Sequence, residues 1–361
     1  MIKVKPLLVS VAVLAALPSF AQAQSLEDRI RQLESQIGVM ESTPGQGAGG
    51  SVELYGSLRT QLQYQDQEVG TADDSSTDVT DAASRIGIRA TSDMGNGWKA
   101  TARGEWKVQI GEGAGFGDGR LAYVQLAKDG LGAVAIGQQW TGFYNFVGAV
   151  TDVANDGTPG GYNLVAGVFR ASNMVTYTNK FAGLVSVQVD TQFDGDTDND
   201  TDLTNDGRDN LDRYAVSAGV NLEGVQLAAS YDSSKADSGD STDLLGLAAG
   251  YAQGPYYVGL SYTSKDTGGT AEPSAIDLSG TYSFGKNTLI GHYYTYDSDL
   301  AGAASNDADG IQVAIQHQMN DQLRLWADLR LDDADGVGGG IDDVETTTLS
   351  LGARYDFSIT N

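Results

Sequence analysis

Between Val52 and Phe357 the chain breaks into about sixteen segments in which apolar and polar residues alternate, most of them roughly ten residues long. No other feature restricts the fold as much. In WKATARGEWKVQI, Trp98, Ala100, Ala102, Trp106, Val108 and Ile110 share one face, while Lys99, Thr101, Arg103, Glu105, Lys107 and Gln109 share the other. In QLRLWADLRLD, Leu323, Leu325, Ala327, Leu329 and Leu331 oppose Arg324, Asp328, Arg330 and Asp332. In TTTLSLGARYDF, Leu349, Leu351, Ala353, Tyr355 and Phe357 oppose Ser350, Arg354 and Asp356. A period of two is the side-chain alternation of a β-strand. Roughly ten residues is also the length a tilted strand needs to cross a bilayer.

The connections carry a second regularity. Short ones at 94–97, 129–132, 179–183, 222–225, 253–255, 284–287 and 319–322 alternate with long polar ones. The long ones fall near 66–83, 111–118, 141–171, 194–212, 233–242, 266–274, 298–308 and 333–344. Strict alternation gives a sheet two unlike ends, as in an outer-membrane barrel with periplasmic turns and external loops. A soluble sandwich or secreted adhesin has no such requirement. Aromatics near strand ends (Tyr55, Tyr64, Trp98, Tyr251, Tyr262, Tyr282, Tyr293, Tyr355) fit interfacial girdles. The mean hydropathy of −0.25 fits as well, because only every second strand residue meets lipid. The expected fold class is all-β: a 16-stranded antiparallel transmembrane β-barrel, wide enough for an aqueous lumen, with both termini in the periplasm.

Residues 1–23 read as a secretory signal peptide. Lys3 and Lys5 precede an apolar run from Leu7 to Leu17, and Ala21-Gln22-Ala23 forms a cleavage site. The run is too short to span a bilayer. Residues 24–42 read as a periplasmic coiled-coil helix. Leu26, Ile30, Leu33, Ile37 and Met40 make a heptad seam, and Ser25 with Asp28 can cap its start. So short a helix is marginal alone, so it either finds partners or frays as an amphipathic linker. Residues 43–50, TPGQGAGG, are a flexible linker, and residues 51–361 are the barrel.

Charge and motifs exclude several classes. Removing residues 1–23 takes away two of the 22 basic residues and none of the 48 acidic ones, leaving a formal charge of −28. Nucleic acid, which wants the opposite sign, is not expected as a partner. There is no cysteine, so neither disulfides nor thiol chemistry is available. Asp194, Asp196, Asp198, Asp200 and Asp202 recur at every second position, a spacing that offers oxygen ligands to surface Ca²⁺. The segment lacks the glycine and closing glutamate of an EF-hand, and a merely solvated acidic loop reads the same way. His292 and His317 lack ligand neighbours at metal spacing, and no nucleophile elbow, HExxH or phosphate loop is present. No cofactor and no enzyme activity are expected.

Several stretches resemble, in order, successive stretches of the general bacterial trimeric porin family: VELYGSLRTQLQY, SRIGIRATSDMGNGWKATARGEWKV, GRLAYVQLAKDGLGAVAIGQQW, FYNFVGAVTDV and FRASNMVTYTN. The resemblance runs from about Val52 to the end and is densest before Tyr177. It implies a homotrimer whose third external loop folds into the pore, and residues 141–171 match that loop. Phe143, Tyr144, Phe146, Val147, Val150 and Val153 would pack it on the wall, with Asp152 and Asp156 at the narrowest point. The family's basic wall ladder falls on Arg85, Arg120 and Arg170. Its first-strand position falls on the uncharged Ser57, for which Arg59 can substitute at the same parity. Arg89 and Arg103 point inward by alternation. The chain is similar to the subset with an N-terminal periplasmic helix. It departs from the family at its end, where SITN follows Phe357; Ile359 keeps the outward parity. The strands GRLAYVQLA and GAVAIGQQW, small or apolar on both faces, suit a subunit interface.

The expected function is an outer-membrane porin for passive diffusion of small hydrophilic solutes and ions, with outer-membrane lipid, lipopolysaccharide and peptidoglycan as further partners. Acidic loop 141–171 facing the wall arginines would set selectivity. Two other readings stay open: a substrate-preferring channel, and a structural protein tied to the cell wall through its helix. The loops and net charge favour cations and the arginine ladder favours anions; local charges at the narrowest point outweigh distant loop charges, which salt screens within ~8–10 Å, but the sequence leaves their balance there open, and the reading leans weakly to cations.

Overall fold

The structure, a computed structural model, describes residues 50–111, 115–154, 160–167, 169–193, 211–235, 241–269, 271–300, 306–335 and 343–361. The signal peptide, the coiled-coil seam, the acidic run Asp194 to Asp202 and Asp156 lie outside the described residues.

The strands in chain order are β1 (Gly50–Val69), β2 (Ala72–Asp81), β3 (Arg85–Gly95), β4 (Trp98–Gln109), β5 (Gly115–Lys128) and β6 (Gly132–Trp140). After a helical connection come β7 (Arg170–Phe181), β8 (Val185–Gln192), β9 (Arg213–Leu222), β10 (Val225–Lys235), β11 (Ser241–Gln253) and β12 (Tyr256–Asp266). The wall ends with β13 (Ser274–Phe284), β14 (Asn287–Asp297), β15 (Ala308–Gln318), β16 (Leu323–Ala334) and β17 (Val344–Thr360). Each strand pairs antiparallel with its neighbours, and β1 closes the ring against β17. β2 and β3 share one side of β1: β2 pairs with its residues 60–69 and β3 with residues 50–57. They are one stave broken at residues 82–84, so the seventeen strands make sixteen staves.

The faces follow the sequence parity, with the usual burial inverted; Tyr55, expected in an outer girdle, instead shares the inward parity of Ser57 and Arg59 and meets Arg103 and Glu105. Val124, Ile136, Val216, Leu247, Val258 and Val313 lie exposed on the outside, where a barrel meets lipid. Gln188, Ser217, Ser230, Ser261, Asp277, Gln312 and Ser350 are buried on the inside. Apolar burial is concentrated in the lumen, around Phe143, Tyr144, Phe146, Val147, Val150, Tyr162 and Val165.

The first long connection differs from the sequence expectation. Residues 66–83 are not a loop: β1 runs to Val69, turns at Gly70 (φ 59°) and returns as β2. Residues 60–69 carry a ladder on both sides, to β2 and to β17, which leaves their backbone polar groups paired in strand form. The predicted connection 111–118 is also shorter, because β5 starts at Gly115. At the other end, β17 continues past Phe357, with Ile359 opposite Leu54 and outward-facing. Asn361 closes the seam, its Oδ1 accepting from the Val52 amide at 3.0 Å.

Candidate functional site

The connection from β6 to β7 packs against inward-facing side chains rather than projecting from the rim. A π-helical turn, Tyr144–Gly148, runs into α1 (Ala149–Thr151), and α2 (Gly161–Ala166) follows. Of the six apolar residues expected to pack, Phe143, Tyr144, Phe146, Val147 and Val150 are buried and Val153 is half-buried.

Two wall carboxylates hold the ends of this segment. Asp190 on β8 accepts from the Gly142 amide at 2.7 Å and the Thr176 hydroxyl at 2.7 Å. Asp277 on β13, fully buried, accepts from the Gly161 and Tyr162 amides, both at 2.8 Å, and lies 3.0 Å from His292 Nε2. Both amides open α2, whose first N–H groups have no partner within the helix. Between the ends, Tyr257 donates to the Val150 carbonyl at 2.6 Å and Ser279 to the Thr151 carbonyl at 2.6 Å. Glycines make room for this approach. A Cβ at Gly246 would lie 2.7 Å from the Phe143 ring, and one at Gly259 would overlap the Val150 carbonyl oxygen.

The remaining wall carries most of the arginines singled out above, interspersed with acids. Arg354 on β17 pairs in register with both Arg324 on β16 and Arg59 on β1, so three arginines stand side by side on the inward face. Asp356 accepts from Arg354 Nε at 2.8 Å and lies 3.3 Å from Arg324 Nη2. Arg59 Nε donates to Ser57 Oγ at 3.0 Å, so the arginine two residues on is tied to the position where the ladder was expected to begin. The stave break lies at the same height, where the Arg59 amide donates to Ser84 Oγ at 2.7 Å and Ser84 Oγ donates back to the Arg59 carbonyl at 2.9 Å.

Arg85 pairs in register with Ser57, so it continues the row. Arg103 and Arg120 share Glu105: Arg120 Nε is 2.8 Å from Oε1 and Arg103 Nη2 is 3.0 Å from Oε2. Arg89, 3.6 Å from Glu53, pairs in register with Arg103, and the two lie over the Tyr55 ring at 5.4 and 5.2 Å. Arg170 lies over the Trp140 ring at 4.6 Å and Arg120 at 5.9 Å. Trp140 in turn stacks on Tyr144 at 4.3 Å, and Tyr144 donates to Asp152 Oδ2 at 2.7 Å. Burial, then the neighbouring Asp152 carboxylate, hold the Tyr144 hydroxyl well above the usual tyrosine range, so it stays a donor. Among the described residues Asp152, itself exposed, makes no ion pair, and Arg59, Arg85 and Arg170 have no carboxylate partner.

The structure thus brings Arg59 and Arg85 into one row, and links Arg120 and Arg170 to Asp152 through Trp140 and Tyr144. Sequence reasoning missed Arg324 and Arg354, although their inward parity was readable. It also missed Glu105 as the partner of two arginines, Trp140 as the platform, and Asp190 and Asp277 as anchors. Among the described residues no group of His, Cys, Asp and Glu side chains is arranged to hold a metal ion.

A family model described as Gram-negative porin matches residues 10–337. No curated protein matches the sequence. Solved structures share the fold. An anion-selective porin from Comamonas acidovorans superposes with a TM-score of 0.67 at 20% identity, covering 86% of this chain and 100% of that one. OmpF of Salmonella typhi, in complex with daunomycin, gives 0.65 at 19% identity over 85% of this chain and 97% of that one. The trimer form of OmpT from Vibrio cholerae gives 0.62 at 16% identity over 86% and 100%. At these identities the likeness is one of fold.

Proposed function

The chain belongs to the Gram-negative porin family, and on that footing we propose a water-filled outer-membrane channel for passive diffusion of small hydrophilic solutes and ions, narrowed by residues 141–171 folded against the inner wall. Family and fold point to a channel rather than an enzyme. The observation that carries the narrowing is the burial of Phe143, Phe146, Val147 and Val150 against β9 to β13, on the inward face of an otherwise polar wall. An open lumen of sixteen staves selects little, so a segment seated across it controls cross-section and local field.

At the narrowest level we propose a preference for anions, against the balance of the whole chain. The register adds Arg324 and Arg354 to the sequence-derived arginines, and three arginines face the lumen without a carboxylate partner among the described residues. Acidic external loops are screened beyond ~8–10 Å at physiological salt, whereas these arginines stand at the passage itself. Asp152 is the described acid of the opposing side.

We assign the protein a homotrimeric state, with the exposed Val124, Leu126, Val134 and Ile136 of β5 and β6 at the subunit interface. One of the similar structures is a trimer. The heptad seam Leu26 to Met40 would extend that association into the periplasm or touch peptidoglycan. Asp194 to Asp202 remain candidate Ca²⁺ or lipopolysaccharide contacts. Planar-bilayer recording of the refolded protein tests the channel reading. Large ohmic openings in steps of three are expected, and a folded barrel without conductance would overturn it.

A further inference from the structure

Five arginines of the inner wall divide into two groups. Arg103 and Arg120 end on one carboxylate, Glu105, whereas Arg59, Arg85 and Arg170 have none among the described residues. Glu105 is only 2% exposed, so a passing ion does not touch it. It is nonetheless well held: Tyr55 also donates to Oε2 at 3.0 Å, and Arg103 Nε donates to the Tyr55 hydroxyl at 2.6 Å. Arg120, whose Nε binds Oε1, lies over Trp140 beside Arg170.

We infer that Glu105 is a positioning residue for selectivity. It pins Arg120 toward the wall and offsets one of the two charges of the Arg103–Arg120 pair, so the arginines without a carboxylate contact weigh more in the field that a solute meets. The inference rests on the channel reading above. A buried carboxylate shared by two guanidinium groups is screened little by salt, so removing its charge is felt at the nearby lumen. Without Glu105, the Arg120 side chain loses its charge-assisted hydrogen bond and turns to solvent, adding one mobile cation to the passage.

The test is the anion-to-cation permeability ratio, from reversal potentials in planar bilayers under a KCl gradient. It is measured for wild type, E105Q, R120Q and the double variant, each first shown to be a folded barrel by heat-modifiable gel mobility. E105Q is expected to raise the ratio about twofold or more, by removing a charge beside the passage. R120Q is expected to lower it, and E105Q is expected to have a smaller effect in the R120Q background because the freed arginine is gone. An unchanged ratio in folded E105Q, or an equal shift in both backgrounds, overturns the inference. If E105Q does not fold, E105D carries the test. One methylene shorter, it cannot span both arginines, so the ratio must still rise, and no rise overturns the inference. Absence of conductance in folded wild type would instead defeat the channel reading.

Discussion

The two halves of the inner wall use charge in opposite ways. From β8 to β14 the wall is a seat. Asp190 and Asp277 spend their charge on backbone amides of the segment after β6, and glycines open the space that Phe143 and Val150 fill. From β16 round to β7 the wall is bare of such a cover. There Arg324, Arg354 and Arg59 stand in one row and Arg85 continues it, with carboxylates for only some of them. A carboxylate bound to neutral amides keeps its net charge, but Asp190 and Asp277 are buried beneath the segment they hold, whereas no such segment covers the arginine row. On the proposed reading a count of charges over the sequence does not describe the passage, because position decides which charges a solute meets.

The largest break in this comparison comes from filling the seat. Gly259→Val places side-chain atoms where the Val150 carbonyl lies. The expected cost is about 2–4 kcal/mol of local stability, from overpacking and lost hydrogen bonds. The measurement is limited proteolysis, in which the segment after β6 becomes cleavable while the barrel stays folded. Asp277→Ala should do nearly as much, because it strips two amides and His292 of a buried acceptor, at about 2–3 kcal/mol. Channel records should then show unstable conductance levels. Asp277→Asn keeps one acceptor and should be milder.

On the arginine half, the effects are on selectivity rather than stability. Replacing Arg59, Arg85 and Arg170 together by Gln should lower the anion-to-cation ratio several-fold, roughly the effect of losing the local positive field. Unlike the seat variants, it should leave protease resistance intact. The smallest effect is expected from Asp152→Asn, whose carboxylate is exposed and already accepts from Tyr144. Its shift in reversal potential should be well below that of the triple arginine variant. A larger one would mean that the acidic segment, rather than the wall, sets the field.

Much of the arrangement was legible because strand parity is rigid. Once Leu349, Leu351 and Tyr355 are outward, Arg354 must point inward. The alternation of short and long connections marked two unlike ends of the sheet, and the resemblance around FYNFVGAVTDV singled out the connection whose apolar residues are buried. What parity cannot give is height. Arg59 and Arg354 lie at opposite ends of the chain, and only the closing register sets them side by side. The stave break was hidden for another reason. Ala83 adopts φ 68° with no glycine to mark it, and Asp81 and Ser84 hold it by hydrogen bonds that no local pattern announces. Glu105 looked like one more polar residue of an alternating strand: only Arg103 lies on its own strand, and its other partners Arg120 and Tyr55 come from other strands.

The most direct test of the account is the reversal potential of the wild-type channel under a KCl gradient. The account predicts a sign set by chloride, in spite of the protein's formal charge of −26. A sign set by potassium would contradict it, and would show that the acids of the loops and of residues 141–171 outweigh the arginine row.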